Sequence, residues 1–137
     1  MNLNLDGKVA LVTGSYRGTG AGIAERLGAE GAHVIVHGFL EDETQFVFEQ
    51  LANKEINVTR LEANLLDLDQ DEIKSLLPPI DILINNYGTP RRSSWESTES
   101  WIEEWEHNVL MGVKLSQVVV GGMSDSCLLY TSPSPRD

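Results

Sequence analysis

The chain has 137 residues, 41% of them hydrophobic and 23% charged, which suits one soluble α/β domain with a real core and no more. Its formal net charge of −11 argues against nucleic acid and against an anionic membrane surface, because no basic cluster is present to neutralise phosphates. The single cysteine cannot close an internal disulfide, and the start MNLNLDGK lacks a basic and apolar leader. With no run of the ~20 apolar residues a membrane helix needs, these features imply a cytoplasmic protein.

In chain order, KVALVT (8–13) is a short apolar run rich in β-branched residues and stopped by Gly14. It predicts a strand buried on both faces. Ile23, Ala24 and Leu27 recur at helical spacing over 20–30, with Gly31 placed to cap the helix end. AHVIVHG (32–38) predicts a second strand, INVTRLEA (56–63) a third and DILIN (81–85) a fourth. Helices are expected near 42–53 and 68–77, the latter ended by Pro78-Pro79. A longer helix is expected over 97–120, with Trp101, Trp105, Val109 and Val113 on one stripe.

Strands alternating with helices at this spacing read as right-handed βαβ units on a parallel sheet. The sequon Asn57-Val58-Thr59 reads as chance, and His33 and His107, without partners at metal-ligand spacing, read as surface residues.

TGSYRGTG (13–20) falls between the first strand and the first helix. Gly14 lets the backbone turn where a Cβ would clash, and Gly18 and Gly20 permit close approach. The helix behind them offers unpaired N–H groups and about half a positive charge, so strand, glycines and helix together make a pyrophosphate cradle rather than a plain turn. NNYG (85–88) follows the fourth strand. In a sheet ordered 3-2-1-4, strands 1 and 4 are neighbours at the switch point, so both polar loops converge on one crevice.

Thr13-Gly-x-x-x-Gly-x-Gly20 followed by Asn85-Asn-x-Gly88 resembles the short-chain dehydrogenase/reductase family, nearest to its 3-oxoacyl-carrier-protein-reductase-like branch, over residues 5–123. The resemblance implies a Rossmann-type doubly wound sheet, truncated to strands 1–4, in residues 1–126. It implies cofactor contacts from Gly14, Ser15, Tyr16, Arg17, Gly18, Thr19, Gly20, His37, Phe39, Asn64, Leu65, Asn86, Tyr87 and Gly88, and a catalytic helix asparagine at Asn108. Tyr87 replaces the family's usual alanine, and Asn64 stands where many members carry aspartate. The implied partners are a small carbonyl or alcohol substrate and, for a full-length parent, further copies of itself.

The second strand ends in His37, Gly38 and Phe39. No acid stands there to bond ribose hydroxyls, as NAD-preferring folds require, and Arg17 suits a 2′-phosphate. NADP is therefore expected, with NAD possible because Glu41 and Asp42 lie close by.

The family's proton donor is a tyrosine with lysine four residues on. Here Tyr16 is followed at that spacing by Gly20, Tyr87 by Arg91 and Tyr130 by Ser134. The pair is absent, so the expectation is a parent enzyme interconverting ketone and secondary alcohol, and a chain inactive by itself. CLLYTSPSPRD (127–137) shows no strand or helix pattern and back-translates codon by codon to a transposase adapter. It is expected to be a non-native tail, with the fourth strand left as an exposed sheet edge. The competing readings are a regulatory nucleotide binder that lost catalysis, and a truncated reading frame without function.

Overall fold

The computed structural model describes residues 3–88, 95–121 and 128–131. Strands and helices alternate: β1 (Val9–Val12), α1 (Gly18–Ala29), β2 (His33–Gly38), α2 (Gln45–Asn53), β3 (Val58–Glu62), α3 (Gln70–Leu76) and β4 (Ile82–Asn85). A continuous helical rod follows as α4 (Thr98–Trp105), a π-helical turn at Glu106–Leu110, and α5 (Met111–Val120), and then β5 (Leu128–Thr131). The sheet runs β3-β2-β1-β4-β5, and every pairing is parallel.

Side chains alternate across a strand, and the sequence exploits this on both faces. Leu11, Ile35 and Leu83 sit in register across β1, β2 and β4. They pack with Leu61 against Ile73 of α3 and Met111 and Leu115 of α5. Their neighbours Ala10, Val12, Val34, Val36 and Ile82 face the other way, against Ala24 of α1 and Val47 and Leu51 of α2. Both faces are therefore covered, as the unbroken apolar runs required.

Local signals set the boundaries. Gly31 takes φ +104° just past α1 and donates its N–H to the Gly28 carbonyl at 3.0 Å. Asp69 caps α3 by accepting from Glu72 N–H at 2.8 Å, which with neighbouring donors holds its carboxyl below the ordinary range. Leu77, ahead of Pro78, is extended with ψ 136°, the conformation that proline imposes on its predecessor.

The four expected strands and their 3-2-1-4 order are present, each trimmed by one to three residues. The fifth strand corrects the reading of residues 127–137 as devoid of strand pattern, and β4 is no open edge. Leu128–Thr131 pairs with Ile82–Asn85. An edge strand presents a row of unmet N–H and C=O groups, and a four-residue segment suffices to pair with it, Tyr130 and Thr131 being of β-forming type. Cys127 and residues 132–137 lie outside the described residues.

The expected 97–120 helix is present, interrupted by the π turn. Trp101, Trp105, Val109 and Val113 are all exposed, while Met111, Leu115, Val118 and Val119 supply the buried side. Among the described residues, no helix is long and apolar enough to cross a membrane, and no group of acidic, histidine or cysteine side chains could hold a metal ion.

Leu83 is fully buried at the centre of the sheet. Leu83→Ala should lower unfolding stability by about 2–5 kcal/mol, read as a fall in the urea midpoint at constant slope.

Candidate dinucleotide site

The two loops singled out in the sequence meet, and Thr13 and Asn86 join them. Thr13, fully buried, accepts at its hydroxyl from the N–H groups of Asn86 and Tyr87, both at 3.0 Å. The Asn86 side-chain amide donates back to the Thr13 carbonyl at 3.1 Å and lies 3.5 Å from that of Gly14. Thr13 N–H in turn donates to the Ile84 carbonyl at 3.1 Å. The end of β1 and the end of β4 thus form one rigid corner.

Two glycines are demanded by this corner. Gly14 has φ +64°, and a Cβ there would stand 3.0 Å from the Tyr87 ring. At Gly20 a Cβ would come within 2.6 Å of both the Asn86 amide nitrogen and the Gly14 carbonyl oxygen. The first is a conformational requirement and the second a packing one.

Above the corner lies a cleft of about 320 Å³ whose walls include Gly14, Tyr16, Arg17, Thr19, Asn86 and Tyr87. Gly18, Gly20 and Gly88 complete it, so nine of the expected cofactor residues share one cleft. Arg17 is the N-cap of α1, exposed, with its guanidinium 5.1 Å from the Tyr16 ring. No acidic side chain occupies the first turn of α1, so nothing competes with an anion for its N–H groups. The room and the donors fit a pyrophosphate.

Four of the expected cofactor residues, Ser15, His37, Leu65 and Asn64, have side chains engaged beneath or beside this cleft rather than in its walls. Ser15 and His37 are fully buried beneath the loop. The Ser15 hydroxyl donates to the Val12 carbonyl at 2.7 Å and accepts from His37 N–H at 2.9 Å. His37 Nδ1 accepts from Gly14 N–H at 3.1 Å, so its proton sits on Nε2, 3.0 Å from the Ala63 carbonyl. Leu65 is buried among the apolar residues below β3. Asn64 spends both ends locally: its amide donates to Asp67 and its oxygen accepts from Leu66 N–H, each at 3.1 Å. Ser15 and His37 shape the cradle from below, and Leu65 and Asn64 shape its flank.

Phe39 stands at the mouth, 5.1 Å from the His37 ring and 4.4 Å from the Tyr87 ring. His107 approaches Tyr87 at 6.2 Å and Phe39 at 6.4 Å, so this surface histidine borders the site. Asn108 lies in the π-helical turn and donates to Glu104 at 3.0 Å. Its Oδ1 is 2.8 Å from where a Cβ on Gly88 would stand, which brings it to the second loop. Such π turns recur where a helix must redirect a functional side chain. Beside it a second cavity of about 410 Å³ is walled by Thr13, Asn85, Tyr87, Asn108 and Met111. Asn85 donates to the Ser116 hydroxyl at 3.0 Å, while its buried Oδ1 finds no partner among the described residues. Arg91, the pseudo-partner of Tyr87, lies outside the described residues.

A model of the short chain dehydrogenase family matches residues 8–126. The chain belongs to that family. A 3-oxoacyl-[acyl-carrier-protein] reductase of Aquifex aeolicus is 42% identical over 97 residues, which is 66% of this chain and 39% of that protein. Among solved structures, an NADP-bound 3-oxoacyl (acyl-carrier-protein) reductase of Agrobacterium tumefaciens is 30% identical with TM-score 0.77, covering 86% of this chain and 48% of that one. L-sorbose reductase of Gluconobacter frateurii, solved with NADPH and L-sorbose, is 30% identical with TM-score 0.78, covering 89% and 49%. The chain therefore spans less than half the length of each of these three proteins.

His37 yields a test of the cradle's foundation. Burial depresses its pKa below 6.5, opposed by the Ala63 hydrogen bond and the Glu43 charge. Above pH 6.5 folded and unfolded chains both hold it neutral. As pH falls below 6.5 the unfolded chain takes up a proton that the folded one refuses, so stability declines. The slope should reach at most about 1.4 kcal/mol per pH unit. His37→Asn should flatten that slope in denaturation curves taken between pH 7 and pH 5.

Proposed function

We propose that this chain is the nucleotide-binding portion of an NADP-dependent oxidoreductase that interconverts a ketone and a secondary alcohol. The observation that carries the reading is the corner made by Thr13 and Asn86, which turns two separate loops into one cradle. Backbone N–H groups at the start of α1 would hold the pyrophosphate, with Arg17 beside them for a 2′-phosphate. The relatives solved with NADP and NADPH support the choice of nucleotide. When bound, the nucleotide supplies or accepts a hydride.

The rest is the work of this chain's residues. Tyr87 in the cleft wall meets Phe39 at a ring separation of 4.4 Å and an interplanar angle of 45°, a contact that would shield that side of a bound nucleotide. Asn108 brings a carboxamide to the edge of the 410 Å³ cavity, where it orients a small polar substrate or an ordered water. Proton transfer to the alkoxide needs a donor, and no tyrosine in the sequence has lysine four positions on. We therefore read the 137-residue chain as binding without turnover. The exposed stripe of Trp101, Trp105, Val109 and Val113 supports self-association of the parent, since large apolar side chains in a row seek a partner surface. We keep residues 127–137 apart from the native domain. An independent read of the source DNA that reproduced CLLYTSPSPRD followed by a stop would overturn that.

The test is direct. The purified chain should quench or shift NADPH fluorescence on binding yet consume no NADPH with a panel of ketones. Turnover that Asn108→Ala abolishes would refute the inactive reading. Arg17→Ala should weaken NADPH by roughly 1.5–3 kcal/mol and leave NADH nearly unchanged, because a charged hydrogen bond is worth that much. Equal losses for both nucleotides would show that Arg17 does not read the 2′-phosphate.

A further inference from the structure

A tight turn leads into β1. Lys8 N–H donates to the Leu5 carbonyl at 2.9 Å, and Gly7 takes φ +78°, the third place of a type II turn, which glycine fills without strain. The two central residues, Asp6 and Gly7, are exposed, whereas Leu5 belongs to the core. Asp6-Gly7 is the only Asp-Gly pair in the sequence, and there is no Asn-Gly. Such a pair can react with itself. The Gly7 nitrogen attacks Asp6 Cγ, an N–Cγ bond forms, and the amide proton leaves with a carboxyl oxygen as water. The resulting five-membered imide then takes a water back. Hydrolysis of the new N–Cγ bond restores aspartate, and hydrolysis of the original Asp6 C–N bond leaves the main chain running through the former side chain, as isoaspartate. One water leaves and one returns, so the step needs no oxidant, reductant or partner.

We propose that Asp6-Gly7 is a site of spontaneous isoaspartate formation, a modification that ages the chain at the entry to β1. A fold ordinarily suppresses the reaction by engaging the attacking N–H in a hydrogen bond and by crowding it with the next side chain. Neither protection operates here. Among the described residues Gly7 N–H has no acceptor, and the place a Cβ would take on Gly7 has nothing within 4 Å. The Asp6 carboxyl is in none of the ion pairs among the described residues and rests against Gly31, where a Cβ would collide with Oδ1. The product carries one more main-chain carbon between residues 6 and 7, which the bond from Lys8 to Leu5 does not span. That turn seats Leu5 in the core and brings Val9 into register with His33. Isomerisation therefore loosens the start of β1, at the opposite end of the strand from the Thr13 corner, and the proposal stands apart from the nucleotide reading.

The experiment holds the full 137-residue chain in heavy-oxygen water at neutral pH and body temperature, beside a synthetic peptide of the sequence LNLDGKVAL. Peptide mapping with fragmentation that separates aspartate from isoaspartate follows each site over time. Residue 6 of the chain should convert within about tenfold of the peptide's rate, and at least about tenfold faster than Asp67, Asp69 or Asp71. Each isoaspartate should carry one oxygen from the solvent. Asp6→Glu, which would have to close a six-membered ring, should abolish the signal. The converted chain, separated chromatographically, should unfold at a lower temperature than the unconverted one. A rate more than about tenfold below the peptide's shows that the fold protects the pair and overturns the proposal. Conversion spread evenly over the aspartates, or an unchanged unfolding temperature after conversion, overturns it equally.

Discussion

The site depends on a single buried hydroxyl. Thr13 Oγ1 lies at the end of β1 with no solvent contact and accepts two backbone N–H groups from the loop after β4, 73 and 74 residues away in the chain. A hydroxyl has two acceptor lone pairs and one proton, and all three are accounted for, the proton pointing to the Ile84 carbonyl at 3.4 Å. Valine would fill the same volume but remove the acceptor of the Tyr87 N–H, while Asn86 N–H would keep the Ile84 carbonyl at 3.0 Å. Every other feature of the cradle follows from this corner. Gly14 turns beneath Tyr87, Gly20 leaves space for Asn86, and α1 begins where its N–H groups face the cleft.

The corner also bears on how a chain of net charge −11 would hold the anionic nucleotide proposed for it. Its overall field repels phosphate, so attraction has to be local. The donors are backbone N–H groups, fixed in direction by the sheet and insensitive to net charge, with one exposed arginine at the helix start. Such donors require little reorganisation when the ligand arrives, which is why the loop is held rigid from below by Ser15 and His37.

Much of this was legible in the sequence, and the reason is physical. β-branched runs, glycines at the strand end and helical spacing are local signals, so strands 1–4 and the cradle could be placed from short windows. What escaped was non-local. His37 was expected at the ribose because it stands at the right place along β2, yet its direction depends on the Gly14 N–H and the Ala63 carbonyl, 23 and 26 residues away. Leu65 follows Asn64 in sequence but turns into the core. No residue type in EHNVL marks a π turn, and the exposure of Trp101 and Trp105 depends on what the sheet leaves uncovered.

The end of β2 is consequently held by two ionisable anchors of opposite character, and both weaken in acid. His37 must stay neutral to accept from Gly14 N–H, so its contribution is complete above pH 6.5 and declines below it. For Glu62 burial alone would raise the carboxyl pKa. Donors from Thr44, Arg60 and Asp42 outweigh it and hold the group at about 2, against an ordinary 4.5. Its contribution is complete above pH 4.5 and disappears as pH falls toward 2. Lowering pH therefore loosens the floor of the cradle first and the anchor of the 39–44 turn second. The end of β2 is held by proton-sensitive groups, whereas the corner between β1 and β4 is held by the Thr13 hydroxyl and the Asn86 amide, which do not titrate.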